Sequence, residues 1–144
     1  MALRTPGFGG FHLLDLQDFP GQGTALIGIL DAFMDSKGLI TPEEFSHFCN
    51  RVVPLLIIDK YCWSNNETLK ADIQVANYSE WNLADQSVLW DIKNSKGEKI
   101  AEGEKTMNIT QGGLSDILSL SYGLSGIIKA EKVTLSIKLS GTPY

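Results

Sequence analysis

The 144-residue sequence is poor in the residue types that build metal sites and disulfide scaffolds. It has only two cysteines and two histidines. His12 and His47 are isolated from each other and from the cysteines, and no Cys/His spacing is typical of zinc. We therefore predict no metal and no cofactor. For Cys49 and Cys62 two interpretations stay open, a pair of free thiols or one disulfide.

Long apolar runs and basic clusters are also missing. No stretch of about 18 or more apolar residues occurs, which argues against a membrane-spanning helix. The net charge is −5, the pI is about 4.9, and lysine and arginine are scattered, so we expect no nucleic-acid partner. The first ten residues lack a basic segment followed by an apolar run, so this chain carries no recognisable signal peptide.

Motifs for nucleotide binding and nucleophilic catalysis are absent as well. The glycines Gly7, Gly9, Gly21 and Gly23 fit neither GxGxxG nor GxxxxGK[ST], and turns are the simpler explanation. No GxSxG or Ser-His-Asp pattern occurs. We assign no catalytic residue in this chain.

What the sequence does contain is two halves of different character. Residues 1–53 predict a strand, a helix and a second helix. The strand covers residues 11–16, turn residues follow at 19–23, and a helix is expected over 24–36. Residues 41–44, Thr-Pro-Glu-Glu, have the form of a capping box, and they predict a helix that ends near Asn50.

The first predicted helix is apolar on nearly every side. Its large side chains include Leu26, Ile29, Leu30 and Phe33, and such a helix needs several packing partners. Either the two halves pack on each other, or the chain has been cut from a longer protein, which we favour. In the isolated chain this surface predicts a homodimer through the N-terminal helices.

Residues 54–144 change to a period of two. Apolar and polar residues alternate over 70–76, 88–93 and 133–139, and further strands are expected over 55–59, 99–105 and 115–120. Asn94 to Gly97 lies between two such runs and predicts a hairpin turn. Six or seven short strands in this length predict an immunoglobulin-like antiparallel β-sandwich.

Both halves resemble bacterial glycoside hydrolases of family 2, the β-galactosidase-like group. In the first half the similarity lies in GFHLLDLQDFPGQGTA at 10–25 and LDAFMDSKG at 30–38. In the second half it lies in residues 67–79, which end in VANYS, and in LWDI at 89–92, IAEG at 100–103 and LSIKL at 135–139.

The resemblance implies that residues 1–53 are the last unit of a truncated (β/α)₈ barrel. Active sites of that fold lie at the carboxyl ends of the strands. By this mapping Asp15, Gln17, Asp18 and Gln22 bind substrate at the rim of a sugar pocket in the parent. The two catalytic carboxylates of the family come from earlier strands, so none is carried over to this chain. For the parent, the resemblance favours a periplasmic or secreted location.

The tryptophans offer a second class of candidate site. Trp90 is in phase with Val88 and Ile92 and should lie in the core of the sandwich. Trp63 and Trp81 stand in loop-like sequence, where they either stack on a sugar ring or cover the ends of the sandwich.

Three functions compete. The leading hypothesis is the C-terminal portion of a glycoside hydrolase, with carbohydrate as the ligand of the parent and a non-catalytic, inactive sandwich here. The alternative is a stand-alone carbohydrate-binding or adhesion module, which needs Trp63 and Trp81 in one flat exposed strip. A structural linker domain in a multi-domain surface protein is the third.

Overall fold

A computed structural model describes residues 2–23 and 26–142 of the chain. The chain divides into two compact units, residues 1–50 and residues 51–144. Each unit is described here by itself.

The first unit contains little regular structure. A 3₁₀ turn covers Ala2–Arg4, and one short helix, α1, covers Pro42–Ser46. The predicted capping box of α1 is confirmed: Thr41 Oγ1 accepts from Glu44 N at 3.1 Å, and Glu44 Oε2 accepts from Thr41 N at 2.9 Å. The helix ends at Ser46, earlier than the sequence predicted.

The strand predicted over 11–16 and the helix predicted over 24–36 are wrong in the residues described. Residues 11–16 form no strand, and residues 26–36 form turns, bends and isolated bridges; Thr24 and Ala25 lie outside the described residues. Asp31 Oδ1 accepts from the backbone N–H groups of Phe33 and Asp35, and such bonds compete with helix formation. Met34 has a φ of 70°, which a right-handed helix excludes.

The second unit is mainly β, as the alternating pattern predicted. Its six strands within the described residues are β1 (Val52–Ile57), β2 (Thr68–Asn77), β3 (Leu83–Lys93), β4 (Lys99–Ile109), β5 (Gly113–Gly123) and β6 (Thr134–Leu139). They form two antiparallel three-stranded sheets in the orders β1-β2-β5 and β4-β3-β6. The predicted turn at Asn94 to Gly97 joins β3 to β4, and Gly97 has a φ of 81°.

The two sheets enclose a common apolar core. One cluster takes a buried side chain from each of the six strands, among them Ile73, Val88 and Leu139, none of which is more than 1% exposed. Successive side chains of a strand point to opposite faces of the sheet. Val53, Leu55 and Ala76 therefore lie on the face of the first sheet that points away from this shared core. Pro54 stands in β1, an edge strand, where the lack of an N–H group is tolerated.

Trp90 lies on the core-facing side of β3, as predicted, but it is not fully buried. Its strand neighbours Val88 and Ile92 are completely buried, whereas the larger Trp90 is half-buried and packs against the core. Cys49 and Cys62 are both free and exposed. Among the described residues, no helix has the length and apolar character needed to cross a membrane.

Candidate functional site

The predicted sugar-binding residues lie mostly in one short segment of the first unit. An open depression of about 360 Å³ is lined by six consecutive residues, 14–19, and so includes Asp15, Gln17 and Asp18. Gln22 is exposed and does not line it. Because a single segment forms this depression, it has no facing wall from another element within the described lining.

Asp18 is held by Lys37 rather than presented to a ligand. Lys37 Nζ donates to Asp18 Oδ1 at 2.9 Å and to Oδ2 at 3.1 Å. The same ammonium group also donates to the carbonyl oxygens of Leu26 and Gly28. Gly28 N donates to Asp18 Oδ1 at 2.8 Å, so a buried carboxylate organises the segments around it.

The position of Gly28 depends on its lacking a side chain. A Cβ added there would lie 2.2 Å from the carbonyl carbon of Gln17 and 2.3 Å from Asp18 N. Gln17 and Leu30 form a parallel bridge beside it, with Asp18 N donating to Leu30 O at 3.0 Å. A glycine is therefore required for the two backbones to come together.

The surroundings of Asp18 favour the ionised form of its carboxyl group. The hydrogen bond from Lys37 holds the pKa of Asp18 below its usual value against the opposing effect of burial, and the Gly28 N–H and the charge of Lys37 add to the lowering. A general acid of a glycosidase needs the opposite shift. Asp18 therefore has the properties of a structural ion-pair partner.

Trp63 is anchored at the end of the sandwich where β2 begins. Its ring is half-buried and packs against the core, and its Nε1 donates to Lys60 O at 3.0 Å. Lys60 Nζ lies 4.6 Å from the ring centroid, a cation–π arrangement, and also pairs with Glu67. These contacts occupy a face of the indole that a sugar ring would need.

Trp81 differs from Trp63 because its side chain is exposed, although hydrogen bonds hold its backbone in place. Asn77, which is completely buried, donates from Nδ2 to Trp81 O at 3.1 Å and to Ile109 O at 3.4 Å. Its Oδ1 accepts from both N and Oγ of Ser79, and Ser79 Oγ is also 3.1 Å from Trp81 O. The Trp81 side chain is 62% exposed.

The two tryptophans lie at opposite ends of the second unit. Trp63 precedes β2 and Trp81 follows it, and β2 has ten residues. Ten residues of strand span about 33 Å. Trp63 and Trp81 therefore do not form one strip.

Sequence reasoning missed the residues that organise both regions. Lys37 is the only lysine among residues 1–50, which carry six acidic residues, and this imbalance was the available signal. Asn77 and Ser79 occur in a plain Asn-Tyr-Ser triplet, whose burial no local pattern indicates. Within the described residues, no group of three or more His, Cys, Asp or Glu side chains is placed to hold a metal ion.

Residues 67–144 match the family described as Domain of unknown function (DUF8488). The match covers more than half of the chain and includes β2 to β6, so the chain belongs to this family. No curated protein matched the sequence.

Proposed function

We propose that this chain is the C-terminal portion of a family 2, β-galactosidase-like glycoside hydrolase, and that its sandwich is a non-catalytic structural domain of that enzyme. The observation that carries the proposal is the apolar surface of residues 1–50. Twelve of the sixteen exposed large apolar side chains of the described residues lie there, including Leu14, Ile27 and Phe33. A monomeric protein rarely exposes so much apolar surface without a partner for it.

The interior of the first unit supports the same proposal. Among its described residues only Asp18 and Gly28 are buried, whereas all fifteen buried apolar residues belong to the second unit. A unit with an ion pair at its centre and its large apolar side chains outside is suited to packing inside a larger domain. In this proposal the larger domain is a catalytic (β/α)₈ barrel, because the first half of the chain resembles the last unit of such a barrel.

The strand order favours an immunoglobulin-like sandwich. In that fold the first, second and fifth elements share one sheet, and the third strand stands between its hairpin partner and a later strand. The orders β1-β2-β5 and β4-β3-β6 follow this arrangement.

The carboxylates of this chain explain why we expect the isolated chain to be inactive. Retaining hydrolysis uses two carboxyl groups roughly 5–5.5 Å apart, one of them with a raised pKa. Asp18 has a lowered pKa and is saturated by Lys37 and Gly28, which leaves Asp15 without a partner for this chemistry in the same segment. Asp15, Gln17 and Gln22 remain proposed rim residues of the parent site.

The test begins with the genomic DNA upstream of this sequence. We expect an uninterrupted reading frame that encodes the missing strands and two catalytic carboxylates. The longer protein should hydrolyse nitrophenyl β-galactoside, while the 144-residue chain should not. A stop codon directly upstream of Met1 would contradict the proposal, as would turnover by the 144-residue chain that Asp15→Asn or Asp18→Asn abolishes.

The self-association of the isolated chain is a separate part of the proposal. The exposed side chains of Leu26, Ile27 and Phe33 remain a surface that a second copy can cover, although residues 26–36 are not helical. Sedimentation of the chain and of a variant with Leu26→Ser, Ile27→Ser and Phe33→Ser tests this surface. A dimer that the triple variant abolishes supports it, and a wild-type monomer at high concentration contradicts it.

A further inference from the structure

The second sheet carries an open depression of about 460 Å³, which we call the sheet groove. Residues of all three strands of the sheet, β3, β4 and β6, line it. It differs in this respect from the depression at residues 14–19, which a single segment lines. Its volume lies within the range of small-molecule sites, about 300–1,000 Å³.

An apolar side chain of the central strand lies between two opposite charges in the sheet groove. Leu89 and Asp91 flank the core-facing Trp90 along β3, so their side chains point to the outward face of the sheet. Leu89 stands opposite Glu104 of β4 on one side and Lys138 of β6 on the other. Because Leu89 is only half-buried, part of its apolar surface remains open to a ligand.

Asp91 brings a carboxylate that its neighbours do not satisfy. Its Oδ1 is buried and has no hydrogen-bond partner among the described residues. Its Oδ2 lies 3.6 Å from Lys93 Nζ, which is too long for a hydrogen bond. The ammonium group of Lys99, which also lines the groove, bonds to Glu102 Oε2 at 2.6 Å.

A ligand with a hydrogen-bond donor would relieve this carboxylate. A buried anionic oxygen without a donor costs free energy, and a donor supplied by a ligand recovers it. The side chain of Asp91 remains 21% exposed, and rotation about its χ2 exchanges the two oxygens. One oxygen can therefore face the groove while the other stays near Lys93.

The carboxylates of the sheet groove are spaced for a planar cation. Asp91 and Glu104 are diagonal neighbours on β3 and β4, and such neighbours have Cβ atoms about 7–8 Å apart. A guanidinium group has five N–H donors in one plane and can bond to two carboxylates at once. Three carboxylates but only two lysines line the groove, so it favours a cation over an anion.

From the unpaired Asp91, its diagonal neighbour Glu104 and the exposed surface of Leu89, we infer that the sheet groove binds a guanidinium group on an aliphatic stem. The two carboxylates hold the cation, and the stem lies on Leu89. A sugar ring fits less well, because the aromatic residue of the lining, Trp90, faces the core. The site lies wholly within the second unit, so the inference does not depend on the proposed function.

Titration of the 144-residue chain with butylguanidinium chloride, followed by two-dimensional NMR at constant ionic strength, tests the inference. We expect saturable shifts of the backbone amides of Leu89, Asp91 and Glu104, with a Kd on the order of millimolar. Butanol has the same stem without the charge, and butyrate carries a negative charge in place of the cation. Neither of them should produce saturable shifts at these amides.

Three variants of equal charge change test which carboxylates bind the cation. Asp91→Asn should raise the Kd at least about tenfold, as expected for a hydrogen bond between charged groups. Glu104→Gln, at an exposed residue whose substitution leaves the fold intact, should raise it about threefold. Asp59→Asn is the control, because Asp59 is an exposed carboxylate outside the lining of the groove. This variant should keep the wild-type Kd within about twofold.

A second ligand identifies the source of the guanidinium group. N-acetylarginine methylamide presents the group as an arginine within a polypeptide does. If it binds at least about tenfold more tightly than butylguanidinium, the natural ligand is an arginine of another protein, whereas equal affinities indicate a free small molecule.

Several results would overturn the inference. One is the absence of saturation at about tenfold the expected Kd. Others are an unchanged Kd in both Asp91→Asn and Glu104→Gln, or the same loss of affinity in Asp59→Asn as in Asp91→Asn. Saturable shifts of the same amides with glucose but not with butylguanidinium would assign the groove to a carbohydrate instead.

Discussion

The indole ring of Trp90 lies against the backbone of Gly103, its partner on the neighbouring strand. A Cβ added at Gly103 would lie 2.7 Å from Cζ2 and 2.8 Å from Nε1 of the ring. The absence of a side chain on β4 is thus what allows a tryptophan at this position of β3. The pair explains why Trp90 reaches the edge of the sheet and is only half-buried there.

Substituting Gly103 should therefore destabilise the second unit. We expect Gly103→Val to lower the free energy of unfolding by about 1–3 kcal/mol, because the ring must leave its position. Urea denaturation followed by circular dichroism gives this value. In a Trp90→Ala background the same substitution should cost much less, and equal costs in the two backgrounds would show that the ring is not the obstacle.

Asn77 is the second residue whose loss should be costly. Asn77→Ala leaves the N–H group of Ser79 without its acceptor and removes the amide donor from the carbonyl oxygens of Trp81 and Ile109. We expect a loss of about 2–3 kcal/mol, since each buried polar group left unpaired costs about 1–3 kcal/mol. Asn66→Ala, at an exposed asparagine, is the control and should change the stability by less than about 0.5 kcal/mol.

The two loop tryptophans should respond differently to truncation. Trp63→Ala removes a half-buried ring and should cost about 2 kcal/mol, whereas Trp81→Ala removes an exposed one and should stay within about 0.5 kcal/mol. Denaturation of the two variants measures the difference. Electrophoresis in gels that contain neutral polysaccharides checks the alternative function, because retardation of the wild type that only Trp81→Ala abolishes would favour a carbohydrate-binding module.

The Asp18–Lys37 pair predicts an acid-sensitive first unit. A carboxyl group whose pKa is lowered in the folded state stabilises that state above its unfolded pKa, and the contribution is lost as the pH falls through the folded pKa. Limited proteolysis of residues 1–50 should therefore accelerate below about pH 4, near the ordinary pKa of an aspartate.

Lys37→Met should accelerate cleavage at pH 7 and flatten this dependence on pH. A variant that keeps the wild-type pH profile would show that Lys37 does not hold Asp18. Glu43→Gln, at an exposed carboxylate in α1, is a suitable control.

The sequence predicted the second unit better than the first for a physical reason. In β2, β3 and β6 the apolar residues alternate because each strand has one face on a shared core, and this pattern can be counted along the chain. The segment around Leu30 carries a helical apolar pattern, but its backbone is decided by Asp31 and by Lys37, which act through specific hydrogen bonds rather than a period. The capping box of Thr41 was predictable since its partners are three residues apart.

The candidate site residues could be named from the sequence, but their contacts and burial could not. The residues next to Asp18 do not indicate its burial or its lysine partner, because that partner is nineteen positions away. Trp63 and Trp81 looked equivalent because both stand in loop-like sequence among asparagine and serine. Only the length of β2 and the contacts of Lys60 separate the two, and neither is visible in the residues next to them.

Pro54 in β1 has a consequence for the chain before it folds. Residues 52–58 are the most continuous aliphatic run of the second unit, Val-Val-Pro-Leu-Leu-Ile-Ile, and without the proline they would have the composition of an amyloid-forming segment. A proline removes one backbone donor and resists stacking in register with other copies. We therefore expect Pro54, which the edge strand tolerates in the folded protein, to protect the unfolded chain from aggregation.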